Sequence, residues 1–215
     1  MNRSEFRERL LSRVEHAGGT VRPPALDGLE TYFALLARWN AKVNLTALPL
    51  NPPRDETFDR LLVEPIVAAD HIQSALARSA RAPGWMDLGS GGGSPAIPLK
   101  LLRPQWKLTM VEAKERKAAF LREVVRSLSL ADADVANVRF EELGAPAGSV
   151  ELLTVRAVKL DASLEVAVSK LLSDRGLVAQ FGSTAIEWAD WVPVGSAPLA
   201  SSGRLNLLRR VPRGT

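Results

Sequence analysis

Cysteine is absent from the chain. That excludes disulfides, thiolate-held zinc and a cysteine nucleophile. Histidine occurs only as His16 and His71, both in the helical first part of the chain, so a Ser-His-Asp triad or a histidine-built metal site has little material. No metal is expected. No apolar run approaches 18 residues, which excludes a membrane-spanning helix. The opening stretch, Met1-Asn2-Arg3-Ser4-Glu5-Phe6, mixes charge with no apolar centre of the signal-peptide kind. A cytoplasmic protein without a membrane partner is expected.

What remains is the composition of an ordinary globular protein, with 46% hydrophobic and 24% charged residues over 215 positions. This length suits one domain with an extension, or two small domains. The net charge is +4, and arginines gather at both ends: Arg3, Arg7, Arg9 and Arg13 early, Arg204, Arg209, Arg210 and Arg213 late. So modest an excess permits nucleic-acid binding. A coding bias toward arginine would leave the same trace.

Helical spacing dominates the first 80 residues. Phe6, Leu10, Leu11 and Val14 predict a short helix, Leu26 to Trp39 a stronger one ending near Asn40, and Phe58 to Ile72 a third over 55–76, bent or restarted at Pro65. After a linker from Arg78 to Gly84 the pattern alternates. Strands are expected near 85–88, 107–111, 135–139, 151–155 and 177–181, with helices near 95–102, 114–129 and 161–172. That alternation predicts an α/β fold of parallel βαβ units. Trp188–Val194 and Arg204–Val211 then read as two strands with no helix between them, an antiparallel hairpin closing one sheet edge. The division expected is a helical extension over 1–80 and an α/β domain over 81–215.

The most informative stretch is Trp85-Met86-Asp87-Leu88-Gly89-Ser90-Gly91-Gly92-Gly93-Ser94-Pro95. A short apolar run passes into glycines and then into a helix that Pro95 can open. Glycine bends the backbone and lets a ligand lie against it. Asp87, Gly89, Gly91 and Gly93 fit the D-x-G-x-G-x-G of S-adenosylmethionine (SAM) methyltransferases. A dinucleotide G-x-G-x-x-G would need glycine where Ser94 stands, and a plain glycine-rich turn is the bland alternative.

Several further residues fall at strand ends. Glu112, 23 positions after Gly89, ends the second expected strand, where a carboxylate can accept from ribose hydroxyls; alternatively it is an acid ahead of a helix N-terminus. Phe140, beside Glu141, would stack on adenine or simply fill core. Arg156 ends an aliphatic strand and requires an anionic partner: a cofactor carboxylate, a nucleic-acid phosphate, or a surface acid such as Asp161. Asn40 and Asn44, in Trp39-Asn40-Ala41-Lys42-Val43-Asn44-Leu45-Thr46, read on pattern alone as a capped helix end.

Taken together, Trp39-Asn40 with Asn44-Leu45-Thr46, Asp87 to Gly93 with Pro95-x-Ile97-Pro98, Arg103-Pro104 and Arg156-Ala157 resemble the bacterial small-subunit ribosomal RNA guanine-N7 methyltransferases, also called glucose-inhibited division protein B, over about residues 29 to 182. The resemblance implies a helical cap on a class I SAM-dependent methyltransferase domain, Rossmann-like, with SAM as cofactor. It implies that Gly89, Ser94, Phe140, Glu141 and Arg156 match SAM-contacting positions. It also implies a guanine in 16S ribosomal RNA, free or in the small subunit, as substrate. Arg156, Asn40 and Asn44 would then position substrate or cofactor with no general base. This chain departs from the family's Arg-His-x-x-Asp-Ser motif: Arg60 is followed by Leu61, and Glu64-Pro65 replace Asp-Ser. Phe181 stands where the family has lysine. A SAM-dependent enzyme of another RNA or a small molecule, and a non-catalytic RNA-binding module, are the competing readings. Basic termini converging on the pocket mouth would favour RNA.

Overall fold

A computed structural model describes residues 1–76, 83–159, 161–184 and 186–211. Most of the Arg78–Gly84 linker, the 80/81 boundary and Arg213 lie outside the described residues.

The first part is helical, as its periodicity predicts. Helix α1 (Arg3–His16) opens on a capping box, in which the Asn2 side chain accepts from the Glu5 amide and Glu5 reaches back to the Asn2 amide. It buries Phe6, Leu10 and Val14. Helix α2 (Pro23–Val43) starts on two prolines, whose missing N–H groups have no helical partner there anyway. It stops at Asn44, whose φ of 50° is left-handed. Phe6, Phe33 and Phe58 meet with all three ring centroids 5.4 Å apart.

The third expected helix is three joined pieces: α3 (Asp55–Phe58), a π-helical stretch (Asp59–Val63) and α4 (Glu64–Leu76). The Glu64 amide donates five residues back, to the Asp59 carbonyl, and Pro65, with no N–H to give, follows at once. The wider turn takes the place of a kink.

The second part is a sheet of seven strands in the order β3-β2-β1-β4-β5-β7-β6. They are β1 (Gly84–Leu88), β2 (Lys107–Val111), β3 (Ala133–Ala136), β4 (Val150–Arg156), β5 (Leu172–Phe181), β6 (Trp191–Pro198) and β7 (Arg204–Arg210). The first five are parallel, and β7 runs antiparallel to both β5 and β6. The hairpin therefore closes one edge, with the last strand inserted inside the first. Helices α5 (Ala96–Leu102), α6 (Glu115–Ser127) and α7 (Ala162–Leu171) join the parallel strands. Strand β3 ends at Ala136, not at residue 139 as expected, and Phe140–Glu142 form a 3-10 turn.

Alternate strand residues face opposite sides. Trp85, Leu108, Leu152 and Leu177 pack with Phe6, Leu36, Phe58 and Phe120 in one cluster, whereas Met86, Val111, Leu153 and Val178 pack with Leu164 and Val168 in another. The first cluster draws on both parts of the chain, so the helices of the first 76 residues share their core with the sheet. Gly28 permits a close approach: a Cβ there would lie 2.5 Å from Leu101 on α5.

Candidate functional site

The parallel strands bring their carboxyl ends to one edge, and the glycine loop leaves β1 there. Gly89 and Ser90 amides donate to the Val111 carbonyl at 2.9 and 3.1 Å, which hooks the loop onto β2. Gly89, Gly91 and Gly93 all have positive φ, at 71°, 52° and 87°. A side chain at Gly93 would also meet Ile97 at 2.9 Å. Other residues at any of the three positions would be strained. Helix α2 holds the loop: buried Tyr32 donates its hydroxyl to the Gly92 carbonyl at 2.6 Å.

A cleft of about 410 Å³ opens between this loop, the end of β4 and the segment after α2. Gly89, Gly91, Ser94 and Arg156 line it together with Arg60 and Lys117. Glu112 stands behind Gly91, one carboxylate oxygen accepting from the Gly91 amide at 2.9 Å and the other from the Lys114 amide at 2.8 Å.

Arg156 has a partner that its sequence position does not indicate. Its Nη2 donates to Glu64 Oε2 at 2.5 Å, and its Nη1 donates to the Arg60 carbonyl and to Ser94 Oγ, the latter at 3.2 Å. The guanidinium carbon lies 4.8 Å from the centre of the Phe181 ring. Asp161, the surface acid considered for this role, instead pairs with Lys159 and accepts from the Leu164 amide at the start of α7. Burial pushes the Glu64 carboxyl above its usual range, with Arg156 opposing, and holds the guanidinium below its usual range. Ser94 stands between, accepting from Arg156 and donating to the Leu61 carbonyl at 2.9 Å. The two departures at Leu61 and Phe181 thus both touch the surroundings of this arginine.

Asp87 is inside the sheet. It accepts from Thr154 Oγ1 on the neighbouring strand at 2.5 Å, and Thr154 in turn accepts from the Trp85 indole at 2.9 Å. Burial raises the carboxyl of Asp87 to about 6.

Asn40 Oδ1 accepts from the Leu45 and Thr46 amides at 2.7 and 2.9 Å, which folds residues 45–48 into one wall of the cleft. Asn44 is exposed, in the left-handed conformation that ends α2. Phe140 is half-buried against the second apolar cluster, and Glu141 is exposed beside it. Neither lines the cleft. Sequence reasoning passed over Tyr32, Thr154 and Glu64 as site-shaping groups. A charged residue three positions after Leu61 in an apolar helix face was the available signal for Glu64.

A family model described as rRNA small subunit methyltransferase G matches residues 25–187. The chain belongs to this family. The rRNA small subunit methyltransferase G match takes in both the N-terminal helices from α2 onward and the sheet through β5. A relative bearing that name in Xanthomonas axonopodis pv. citri is 38% identical over 169 residues, covering 76% of this chain and 72% of that protein. Among solved structures, a tRNA methyltransferase from Aquifex aeolicus superposes with a TM-score of 0.51 at 16% identity, over 68% of this chain and 70% of that one. A SAM-dependent methyltransferase of the same organism gives 0.51 at 10% identity, over 66% and 89%. These two likenesses establish the fold. As a member of the methyltransferase G family the protein is a SAM-dependent enzyme acting on ribosomal RNA.

The cleft suits that methyl donor. Its floor is backbone with no Cβ at Gly89 and Gly91, a carboxylate stands behind that backbone, and its volume lies within the range of small-molecule sites.

Proposed function

We propose that the protein transfers the methyl group of SAM to N7 of a guanine in 16S ribosomal RNA of the small subunit, in the cytoplasm. Residues 1–80 act as the cap and 81–215 as the methyltransferase domain. The observation that carries this reading is the cleft itself, in which the glycine loop, the end of β4 and the Asn40-shaped wall of the cap face one another. Bound there, SAM supplies an already electrophilic methyl group, and guanine N7 has a lone pair free at neutral pH.

The residues therefore have to bind and align, and need not move a proton. Gly89 and Gly91 would admit the nucleoside against the backbone, with Gly93 and Asp87 holding the loop's shape. Glu112 would exchange its backbone partners for ribose hydroxyls. Phe140 and Glu141, after β3, would flank the base of the cofactor. Ser94 and Arg156 would hold its polar end. Asn40 acts as a positioning residue through the turn at 45–46, and Asn44 would present its exposed amide to substrate.

The test is methyl transfer from labelled SAM to 30S subunits taken from a strain that lacks its own N7 methylation, followed by mapping of the label. Label at one guanine N7 is expected. Tight SAM binding with no label on the subunit or on free 16S rRNA would overturn the substrate assignment.

A further inference from the structure

Cations on this protein fall into two groups. The N-terminal arginines are already paired: Arg3 and Arg7 with Asp27 and Glu30, Arg9 with Asp55, and Arg13 with Asp55 and Asp59. Arg204 donates to Ser196, Arg209 to the Ala75 carbonyl, and Arg210 lies 3.9 Å from Asp190. None of these arginines lines the cleft. Among the described residues, the basic termini do not converge on its mouth.

A second group does. Lys117 and Arg60 line the cleft. Lys114 and Arg116 stand at the start of α6 beside it, and Arg116 donates to the carbonyl of Lys42 in the last turn of α2 at 3.0 Å. Lys42, Lys114 and Arg116 are exposed. Among the described residues, Lys42, Lys114, Arg116 and Lys117 have no salt bridge within 4.0 Å, and Arg60 has only a 3.9 Å approach to exposed Glu56. Glu115 is the single acid in that turn. The amino end of the thirteen-residue α6 adds its own positive potential to the same mouth.

Cations left without partners repel one another, and a polyanion that neutralises them releases its counterions on binding. We infer that Lys42, Arg60, Lys114, Arg116 and Lys117 form a rim that receives RNA phosphates on either side of the base entering the cleft. This rests on the ribosomal RNA reading above. The face around α1, although richer in arginine, is already neutralised and takes no part.

Affinity for protein-free 16S rRNA and for 30S subunits, measured by filter binding from low to moderate KCl, tests the rim. The salt dependence of the Lys42→Gln/Lys114→Gln variant should be flatter than that of the unaltered protein by about 1.4 in log–log slope, at roughly 0.7 per lost contact to single-stranded RNA. Its KM for SAM should stay the same. An Arg3→Gln/Arg9→Gln variant should keep the original slope. An unchanged slope in the first variant, or equal flattening in the second, would each overturn the rim. If the slope responds as expected but the unaltered protein methylates neither RNA, the substrate reading fails and the rim stands.

Discussion

Glu64 and Arg156, 92 residues apart in sequence, meet at 2.5 Å with side chains only 5% and 12% exposed. The first residue of α4 thereby supplies the counter-charge for an arginine at the end of a central strand. Breaking a buried pair by removing one partner costs about 3–5 kcal/mol, because the other charge is left uncompensated. Glu64→Gln keeps the shape and an acceptor oxygen but loses the charge. It should lower thermal stability clearly in a differential scanning experiment and reduce kcat/KM, with Glu64→Asp falling between. A variant as stable as the original would show that Arg156 does not need this carboxylate.

The Phe181 ring packs against the same guanidinium, 4.8 Å from its carbon. Phe181→Lys, the residue the resembling family carries there, would put a second cation on the strand end beside Arg156 and remove an aromatic face worth roughly 0.5–2 kcal/mol. A clear loss of stability in urea unfolding is expected, and Phe181→Leu should lose less. Equal losses would leave charge out of the account.

The turn that ends α2 depends on one oxygen. Asn40→Ala deprives the Leu45 and Thr46 amides of their shared acceptor, at about 1–3 kcal/mol for buried donors left unmade. Because residues 45–48 wall the cleft, the KM for SAM or for RNA should rise several-fold. Isothermal titration with SAM and steady-state kinetics with rRNA separate the two.

Asp87 gives a pH dependence whose sign is opposite to that of the usual carboxylate. With a folded-state value near 6 against an ordinary 3.8, the folded protein binds more protons than the unfolded chain between those pH values. Stability from this group is full below about pH 4 and is lost as pH rises through 6, by about 3 kcal/mol. Asp87→Asn cannot titrate and can still accept from Thr154. The difference in stability between the variant and the original should therefore move in the variant's favour from pH 4 to pH 7, as urea midpoints across that range would record. A constant difference would mean that Asp87 is ionised throughout.

Much of this arrangement was legible beforehand because it rests on local signals. The order of helices and strands followed from periodicity, and the loop at Gly89, Gly91 and Gly93 followed from the spacing of residues that tolerate positive φ. The partner of Arg156 was not legible. Asp161 is near it in sequence and Glu64 is not, and only the packing of α4 against the sheet brings Glu64 within reach. The width of the helical turn at Asp59–Val63 was hidden too, since an apolar pattern read with a period of 3.6 runs through it without a visible break. Phe140 falls after β3 and not within it because the strand pairs with β2 only as far as Ala136.

That wide turn sets what lengths the chain can tolerate. Residues on an α-helix are offset by about 100° from one to the next, so deleting a single residue between Asp59 and Val63 would restore an ordinary helix and swing everything before it around the axis. Asp59 would leave Arg13 and Ser201, which it now holds through both carboxylate oxygens, or Glu64 would leave Arg156. This helix could keep its fastening to α1 and the β6–β7 hairpin, or its fastening to β4, but not both. Substitutions in these five positions are a matter of chemistry, whereas their number is a matter of phase.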